Sequence, residues 1–398
     1  MIRKRLFIPM LAAVIGAATA SGQDAFDRTI DIIVNSNSQV QSERELAKAV
    51  ALENADANSL ANPEVGVAYL WGAKNVGNKL QIDVTQSFDW PGLYGARRKT
   101  NANQQIAADL LCEWTQLEVA LNAKQLLIEL VYVKKQMAMM NNLLLDVRQL
   151  EQAITAAQKQ GYSSELDRRK IAIEAYSLSS QAASLEGSRA RIEGQLHAMC
   201  HNASIDLSII DTYPIEQILT FEEYSEKIKY SDPQFLAYQM TVVAGFSDVK
   251  AAKMQRFPGF SVGYQHQTEL GDHFNGFSVG VTLPFFENRQ ARSAAQARVD
   301  AAKSQQFALL DQKQASLIST MAEMQAWRER VDNYNTVFGD NAYLTLIKKA
   351  YYGGELSLIE YINEVQYYAE TTQAFLEAEY NFRSALAELN KYNLIKKQ

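Results

Sequence analysis

From Leu80 to Trp90 the chain sorts its side chains by alternate position. Leu80, Ile82, Val84, Gln86, Phe88 and Trp90 fall on one side, and Gln81, Asp83, Thr85, Ser87 and Asp89 on the other. A strand returns to the same face every second residue, so this stretch predicts an amphipathic strand with one polar exception, Gln86, on its apolar face. The alternation recurs later: Phe260, Val262 and Tyr264 oppose Ser261, Gly263 and Gln265, and Phe277, Val279, Val281 and Leu283 oppose Ser278, Gly280 and Thr282. With NPEVGVAYLW (62–71), this gives four strands, at about 63–71, 80–90, 258–266 and 276–286. The turn-rich loops GAKNVGN (72–78) and TELGDHFN (268–275) join them into two hairpins.

After each strand pair the period changes. Residues 96–160 hold no glycine or proline, and Ile106, Leu110, Trp114, Leu117, Leu121, Leu143, Val147, Leu150 and Ile154 recur at three-to-four spacing, a coiled-coil-like seam. A single helix over that run would reach roughly 95 Å. Gly161-Tyr162-Ser163-Ser164 breaks it, and a second helical run follows to about Ala203, making a helical hairpin over about 95–203 with its tip at 161–166. The design returns at 287–395: a helical pattern to Tyr352, a Gly353-Gly354 turn with the tip at 353–358, and a last breaker-free run. An offset of 190 aligns Tyr162 with Tyr352, Glu165 with Glu355, Leu166 with Leu356, Glu174 with Glu364 and Leu196 with Leu386, an internal repeat. Residues 24–60 and 232–256 read as helices leading into the strands. The chain therefore divides into a first repeat (23–203), a mixed side segment (204–231) and a second repeat (232–398).

The strands suit a bilayer. Each has about the ~9–11 residues that a tilted membrane strand needs. Aromatics Trp71, Phe88, Trp90, Tyr264, Phe285 and Phe286 gather near strand ends, where interfacial girdles lie. The opposite face carries Asp83, Thr85, Ser87, Asp89, Gln265 and Ser278, suited to a water-filled lumen. Four strands cannot close a barrel, and an open edge in lipid leaves backbone groups unpaired. The expectation is that three copies pool their strands into a barrel of about twelve, lipid outside and water inside.

Composition adds a compartment. Arg3, Lys4 and Arg5 precede the apolar run LFIPMLAAVIGAA, and small residues near Ala20 end an export signal over 1–22. Its removal takes away three positive charges and moves the formal charge from −6 to −9, which argues against a nucleic-acid partner. Cys112 and Cys200 would lie about ten residues out of register in the hairpin, roughly 15 Å, too far for a disulfide, and read as buried small apolar residues. In HAMCH, His197 and His201 sit four apart on what reads as one helical face, a metal-capable spacing, but two ligands leave helix packing and solvation as the reading. His266 and His273 read as exposed, in or near a hairpin loop. Met137, Met139 and Met140 read as seam filler. No phosphate loop, zinc quartet or nucleophile elbow is present, so the chain reads as a non-enzyme without a cofactor.

The order of these parts resembles the TolC family of outer-membrane efflux ducts over essentially the whole mature chain. The matches are Asn62-Pro63-Glu64-Val65, Asp232-Pro233-Gln234-Phe235, AAKMQRFPGFSVGY, Leu283-Pro284-Phe285-Phe286 and GGELSLIEYINEV (353–365). The resemblance implies a mainly α fold with transmembrane β: a homotrimer whose twelve-stranded barrel continues as an α-helical tunnel across the periplasm. It implies passive conduction for an inner-membrane pump of the RND type, reached through a periplasmic adaptor. Adaptors of the family engage the hairpin tips, here Gly161, Ser164, Glu165 and Leu166, and Gly353, Gly354, Glu355, Leu356 and Ser357. GELSLIEYI is similar to ducts paired with heavy-metal pumps. The other readings of the same pattern are a periplasmic adaptor, which would place one hairpin between compact β domains, and a secreted coiled-coil scaffold.

Overall fold

A computed structural model describes residues 24–73, 77–285, 290–338 and 342–394. The export signal, the middle of the 72–78 loop, Phe286 and Gly339 lie outside the described residues. In chain order the elements are α1 (24–36), α2 (Ser38–Asp56), β1 (Glu64–Trp71), β2 (Asn78–Phe88), α3 (Pro91–Lys159) and α4 (Glu165–Met199). Then come α5 (Phe221–Ser231), α6 (Pro233–Met254), β3 (Gly259–Glu269), β4 (Asp272–Thr282), α7 (Ala291–Phe338), α8 (Ala342–Tyr352) and α9 (Leu358–Leu389). Among the described residues no helix is long and apolar enough to cross a membrane.

The chain forms two compact units. One holds the described residues of 24–41, 115–227 and 314–394, and the other those of 42–114 and 228–313. In the first, α3 packs through the seam read from the sequence: Leu117, Leu143, Val147, Leu150 and Ile154 are all buried. Leu143, Val147 and Ile154 join Ile171, Ala175 and Leu178 of α4, Ile347 of α8 and Tyr361 and Val365 of α9 in one apolar cluster. A second cluster joins Phe26, Ile30 and Ile33 of α1 to Leu127, Leu130 and Val131 of α3 and to Ile192 and Leu196 of α4. Cys200 is buried there and Cys112 is buried in the second unit.

The lead helix expected over 24–60 is broken. Asn37 lies between α1 and α2, and its Oδ1 accepts from the Gln39 N–H at 2.9 Å, capping α2. The side segment 204–220 has no regular secondary structure, so its backbone needs other partners. Lys134 Nζ supplies some, donating to the Leu207 and Ile210 carbonyls at 2.9 and 2.8 Å. Glu216 is fastened by Lys124 at 2.9 Å, with both side chains under a tenth exposed. Asn390, which ends α9, also donates to Glu216 (3.1 Å) and accepts from the Tyr224 hydroxyl (3.2 Å). A buried pair so well bonded is weak evidence for stability, but removing one partner strands the other charge.

In the second unit, α2 and α3 are clasped by a reciprocal amide pair. Asn54 Nδ2 donates to the Asn101 carbonyl at 3.2 Å, and Asn101 Nδ2 donates back to the Asn54 carbonyl at 3.1 Å. Asp232 caps α6 and binds Lys313 of α7 at 2.6 Å. The seam departs from its expected line in this unit: Ile106 is exposed and Ala107 is buried in its place. The four strands form one antiparallel sheet in the order β1-β2-β3-β4, so the two hairpins lie side by side and β1 and β4 are its edges.

Two strand boundaries differ from the expectation. The 268–275 loop is mostly strand: Glu269 pairs with Asp272, leaving only Leu270 and Gly271 in the turn, both at positive φ (54° and 95°). That geometry matches the twist of flanking strands, but Leu is an uncommon occupant of it, and the usual Asn-Gly or Asp-Gly signature is missing. β4 consequently starts four residues early and ends at Thr282, so Leu283 and Phe285 lie beyond it. β2 ends at Phe88 because Pro91 and Gly92 open α3, which leaves Asp89 and Trp90 in the junction.

Candidate membrane sheet and hairpin tips

The register fixes the two faces. Directly opposed residues share a face, and the pairs Gly66↔Asp83, Asp83↔Gln265, Thr85↔Gly263, Ser87↔Ser261 and Gly263↔Ser278 gather most of the polar positions of the four strands on one side. Of the six residues expected to line a lumen, Asp83, Thr85, Ser87, Gln265 and Ser278 share this face. Asp89 does not belong to the strand. Its carboxylate takes a hydrogen bond from Arg97 at 2.8 Å at the start of α3. The glycines of the strands, Gly66, Gly259, Gly263, Gly276 and Gly280, all lie on the polar face as well. There they make room for neighbours: a Cβ on Gly66 would come within 2.6 Å of the Asp83 carboxylate, and one on Gly263 within 2.5 Å of Ser278 Oγ. Small residues on one side are what inward curvature of a sheet requires.

The opposite face is apolar and uncovered. Val65, Val67, Tyr69 and Trp71 of β1, Val84 of β2, Phe260, Val262 and Tyr264 of β3, and Phe277, Val279 and Val281 of β4 are all exposed, Trp71 to 82% and Phe277 to 86%. Gln86, the polar residue in its apolar stretch, donates its amide N–H groups to the Ala61 carbonyl at 2.6 Å and the Ser87 carbonyl at 3.0 Å. Toward the β3–β4 turn this face becomes polar, with His266, Thr268, His273 and Asn275. Near the helices it ends in aromatics, with Trp90 stacked on Phe257 at 5.0 Å. An apolar patch of this extent, bounded by polar and aromatic rims, marks a surface built for something other than water.

The helical tips are a second constellation. At the end of α3 the Tyr162 N–H reaches the Ala157 carbonyl (2.9 Å) and the Gly161 N–H reaches Gln158 (3.0 Å), with Gly161 at φ 79°. At the end of α8 the Glu355 N–H reaches Ala350 (2.9 Å) and the Gly354 N–H reaches Tyr351 (3.1 Å), with Gly354 at φ 79°. Both are Schellman caps, which place a glycine in the left-handed region so that the last helical carbonyls find donors. Each next helix opens with a capping box, Ser164 with Asp167 and Ser357 with Glu360. The turn motifs thus match at an offset of 193, not 190. The packing faces keep 190, since the pairs Ile171 and Tyr361, Ala175 and Val365, and Leu196 and Leu386 are all buried. Three residues is close to one helical turn, so the shorter offset holds the apolar stripe in phase while misplacing the caps.

The tips differ in dress. Glu165 is gripped by Arg168 (2.7 Å) and Arg169 (3.0 Å), and hydrogen bonds from both guanidinium groups pull its carboxyl down to about 2. Leu166 is exposed, whereas Leu356 of the second tip packs partly against the apolar cluster. Beside the second tip, Lys348 of α8 pairs with Asp146 of α3 at 2.5 Å, and Gln366 of α9 donates to the buried Glu174 of α4 at 2.8 Å. The Tyr343 hydroxyl donates to Glu364 at 2.5 Å, which with burial pushes the phenol up to about 12. These ties join residues far apart in sequence, and no local pattern announces them.

His197 and His201 do not form a helical pair. α4 ends at Met199 and His201 takes a left-handed φ of 48°, so their four-residue spacing no longer sets them on one helical face. Among the described residues no group of three or more His, Cys, Asp or Glu is placed to hold a metal ion.

No family model and no curated protein sequence matches the chain. Its fold matches solved structures along nearly its whole length. A membrane protein from Pseudomonas aeruginosa is similar at a TM-score of 0.77 and 16% identity, over 92% of this chain and 90% of that one. CusC, whose structures describe conformational changes accompanying folding and transmembrane channel formation, is similar at 0.75 and 13%, over 93% and 92%. The Campylobacter jejuni CmeC outer membrane channel is similar at 0.73 and 16%, over 94% and 86%. The chain has the fold of these proteins.

Proposed function

We propose that this chain is an outer-membrane efflux duct of the TolC family, conducting substrates passively out of the cell. The observation that carries the reading is the four-stranded sheet, which has an uncovered apolar face, a polar glycine-rich face and two open edges. An open edge cannot face lipid, because its N–H and C=O groups would go unpaired. Pairing β4 of one copy with β1 of the next removes every edge, and three copies make a barrel of about twelve strands. Asp83, Thr85, Ser87, Gln265 and Ser278 then line the water-filled interior. The long helical hairpins continue the conduit through the periplasm.

In this reading the tips receive a periplasmic adaptor, which couples the duct to an inner-membrane pump of the RND type. Gly161, Ser164, Glu165 and Leu166, with Gly353, Gly354, Glu355, Leu356 and Ser357, form the docking ends. The fold of the solved channels and the matched tip motifs support this assignment. The chain performs no chemistry of its own, and the pump supplies the energy and the selectivity.

Membrane fractionation followed by mass measurement in detergent tests the proposal. The expected result is a trimer from the outer membrane that conducts ions across a planar bilayer. A monomer recovered from the soluble periplasm without detergent, and without conductance, would overturn it in favour of a coiled-coil scaffold.

A further inference from the structure

At the turn end of the apolar-side face, four residues of β3 and β4 form a square. His266 stands opposite Asn275, and Thr268 opposite His273. The two histidines are therefore diagonal neighbours, and their rings stack at 5.7 Å with 20° between planes. The two-residue turn at Leu270-Gly271 fixes this register and so places the two histidines side by side on neighbouring strands.

The hydrogen bonds set the chemistry of the pair. His266 Nδ1 lies 2.8 Å from Asn275 Oδ1, an atom that carries no proton, so Nδ1 must be the donor. Asn275 Oδ1 also accepts from the Tyr264 hydroxyl at 2.8 Å, which anchors it. With Nδ1 protonated, the neutral ring keeps its lone pair on Nε2. That nitrogen lies 3.5 Å from Thr268 Oγ1, and His273 Nδ1 lies 3.3 Å from the same oxygen. Two ring nitrogens of different strands thus converge on one hydroxyl, whose single proton serves only one of them. A histidine whose one ring N–H is held by an oxygen acceptor, so that its other nitrogen carries the lone pair, is the arrangement typical of a metal-ligating imidazole.

We propose that His266 and His273 form a binding site for a divalent transition-metal ion, with Asn275 as the positioning residue and water completing the coordination. Imidazole suits copper(II), nickel(II) and zinc(II), and copper(II) is held most tightly among them. The site rests on the geometry of one hairpin and is independent of whether the protein conducts.

Copper(II) titration of the full-length protein in detergent, read by electron paramagnetic resonance, tests this. Four histidines in the whole chain make the assignment clean. The expected spectrum of the unaltered protein shows one copper per chain with two imidazole nitrogens. His266→Asn and His273→Asn should each weaken binding at least tenfold. Asn275→Ala should weaken it about tenfold, the usual effect of losing an orienting partner. The double variant His197→Gln, His201→Gln should bind as the unaltered chain does. A spectrum without two nitrogens, unchanged binding in both single-histidine variants, or loss of binding in the 197/201 variant would each overturn the proposal. The spectrum of the unaltered chain keeps the test valid even where a variant misfolds.

Discussion

The sheet and the helical tips solve different problems with the same economy of residues. In the sheet, the side chains carry the information: which face a residue occupies is set by parity, and its polarity must match that face. At the tips the backbone carries it. Gly161 and Gly354 share a φ of 79°, and Ser164 and Ser357 share a capping box, while the side chains around them differ freely. Substitutions in the sheet should therefore be judged by polarity, and substitutions at the tips by conformation.

The strongest test of that contrast lies on neighbouring residues of β2. Val84 sits in mid-strand on the apolar face, opposite Val65 and Tyr264, and Thr85 sits beside it on the polar face. Val84→Arg should cost ~2–4 kcal/mol, the range for a cation on the lipid side near a bilayer's midplane. Thr85→Arg should cost much less. Unfolding in detergent, together with the yield of assembled protein, measures both. Equal tolerance would break the contrast, because side-chain polarity would then not govern the sheet.

The tips should respond in the opposite way. Gly354→Val and Gly161→Val force a β-branched residue into the left-handed region, at a cost of roughly 1–2 kcal/mol each. A Cβ on either glycine meets no atom within 4 Å, so crowding is not the cause. Replacing Gly354 by Asn, which tolerates that region, should recover most of the loss. Failure of Asn to do so would show that conformation is not what the position demands. Thermal unfolding reads both variants.

This division also explains what the sequence disclosed. The faces of β2, β3 and β4 were legible because a period of two survives any small error in strand ends. The glycine turns were legible because few residues other than glycine accept a positive φ. The β3–β4 turn was hidden because Leu270 occupies a position that Asn or Asp usually marks. The caps were misaligned by three residues because the apolar stripe, which dominates a comparison of repeats, hardly changes face over one helical turn. Asn390 reaching Glu216, Lys134 serving the 207–210 carbonyls, and the His266–His273 square depend on partners that only the folded chain brings together. Asp89 failed for a local reason: the Pro91-Gly92 helix start took it out of the strand and gave it to Arg97.

A smaller effect separates the tips by their caps. Ser164→Ala and Ser357→Ala each remove a hydroxyl that accepts from the backbone, at 3.0 Å from the Asp167 N–H and 3.3 Å from the Glu360 N–H. Each should cost about 1 kcal/mol. Local hydrogen exchange should rise in the first turn of the helix affected and leave the other hairpin unchanged. A rise at both tips from one substitution would mean that they open together, which the separate caps do not require.

The finest distinction lies in acid. Glu165 and Glu360 both ionise below the ordinary value of 4.5, but for different reasons. Hydrogen bonds from Arg168 and Arg169 bring Glu165 down to about 2, whereas Glu360 is lowered first by the Ser357 N–H and then by its hydroxyl. A carboxyl with a depressed folded pKa stabilises the fold fully above its unfolded value, and that contribution fades as pH falls from about 4.5 toward the folded value. Both tips should accordingly loosen in that window, the first continuing to lose stability down to about pH 2. Salt should distinguish them. Both members of the Glu165 pairs are exposed, so 1 M salt, with a screening length of about 3 Å, should move its titration back toward 4.5. Glu360 bonds to neutral donors of its own turn and should shift less. Carboxyl carbon shifts followed by magnetic resonance at low and high salt, assigned with Glu165→Gln and Glu360→Gln, measure both. An equal salt response would mean that charge, and not backbone geometry, holds the second tip, and the contrast between sheet and tips would then narrow to the glycines alone.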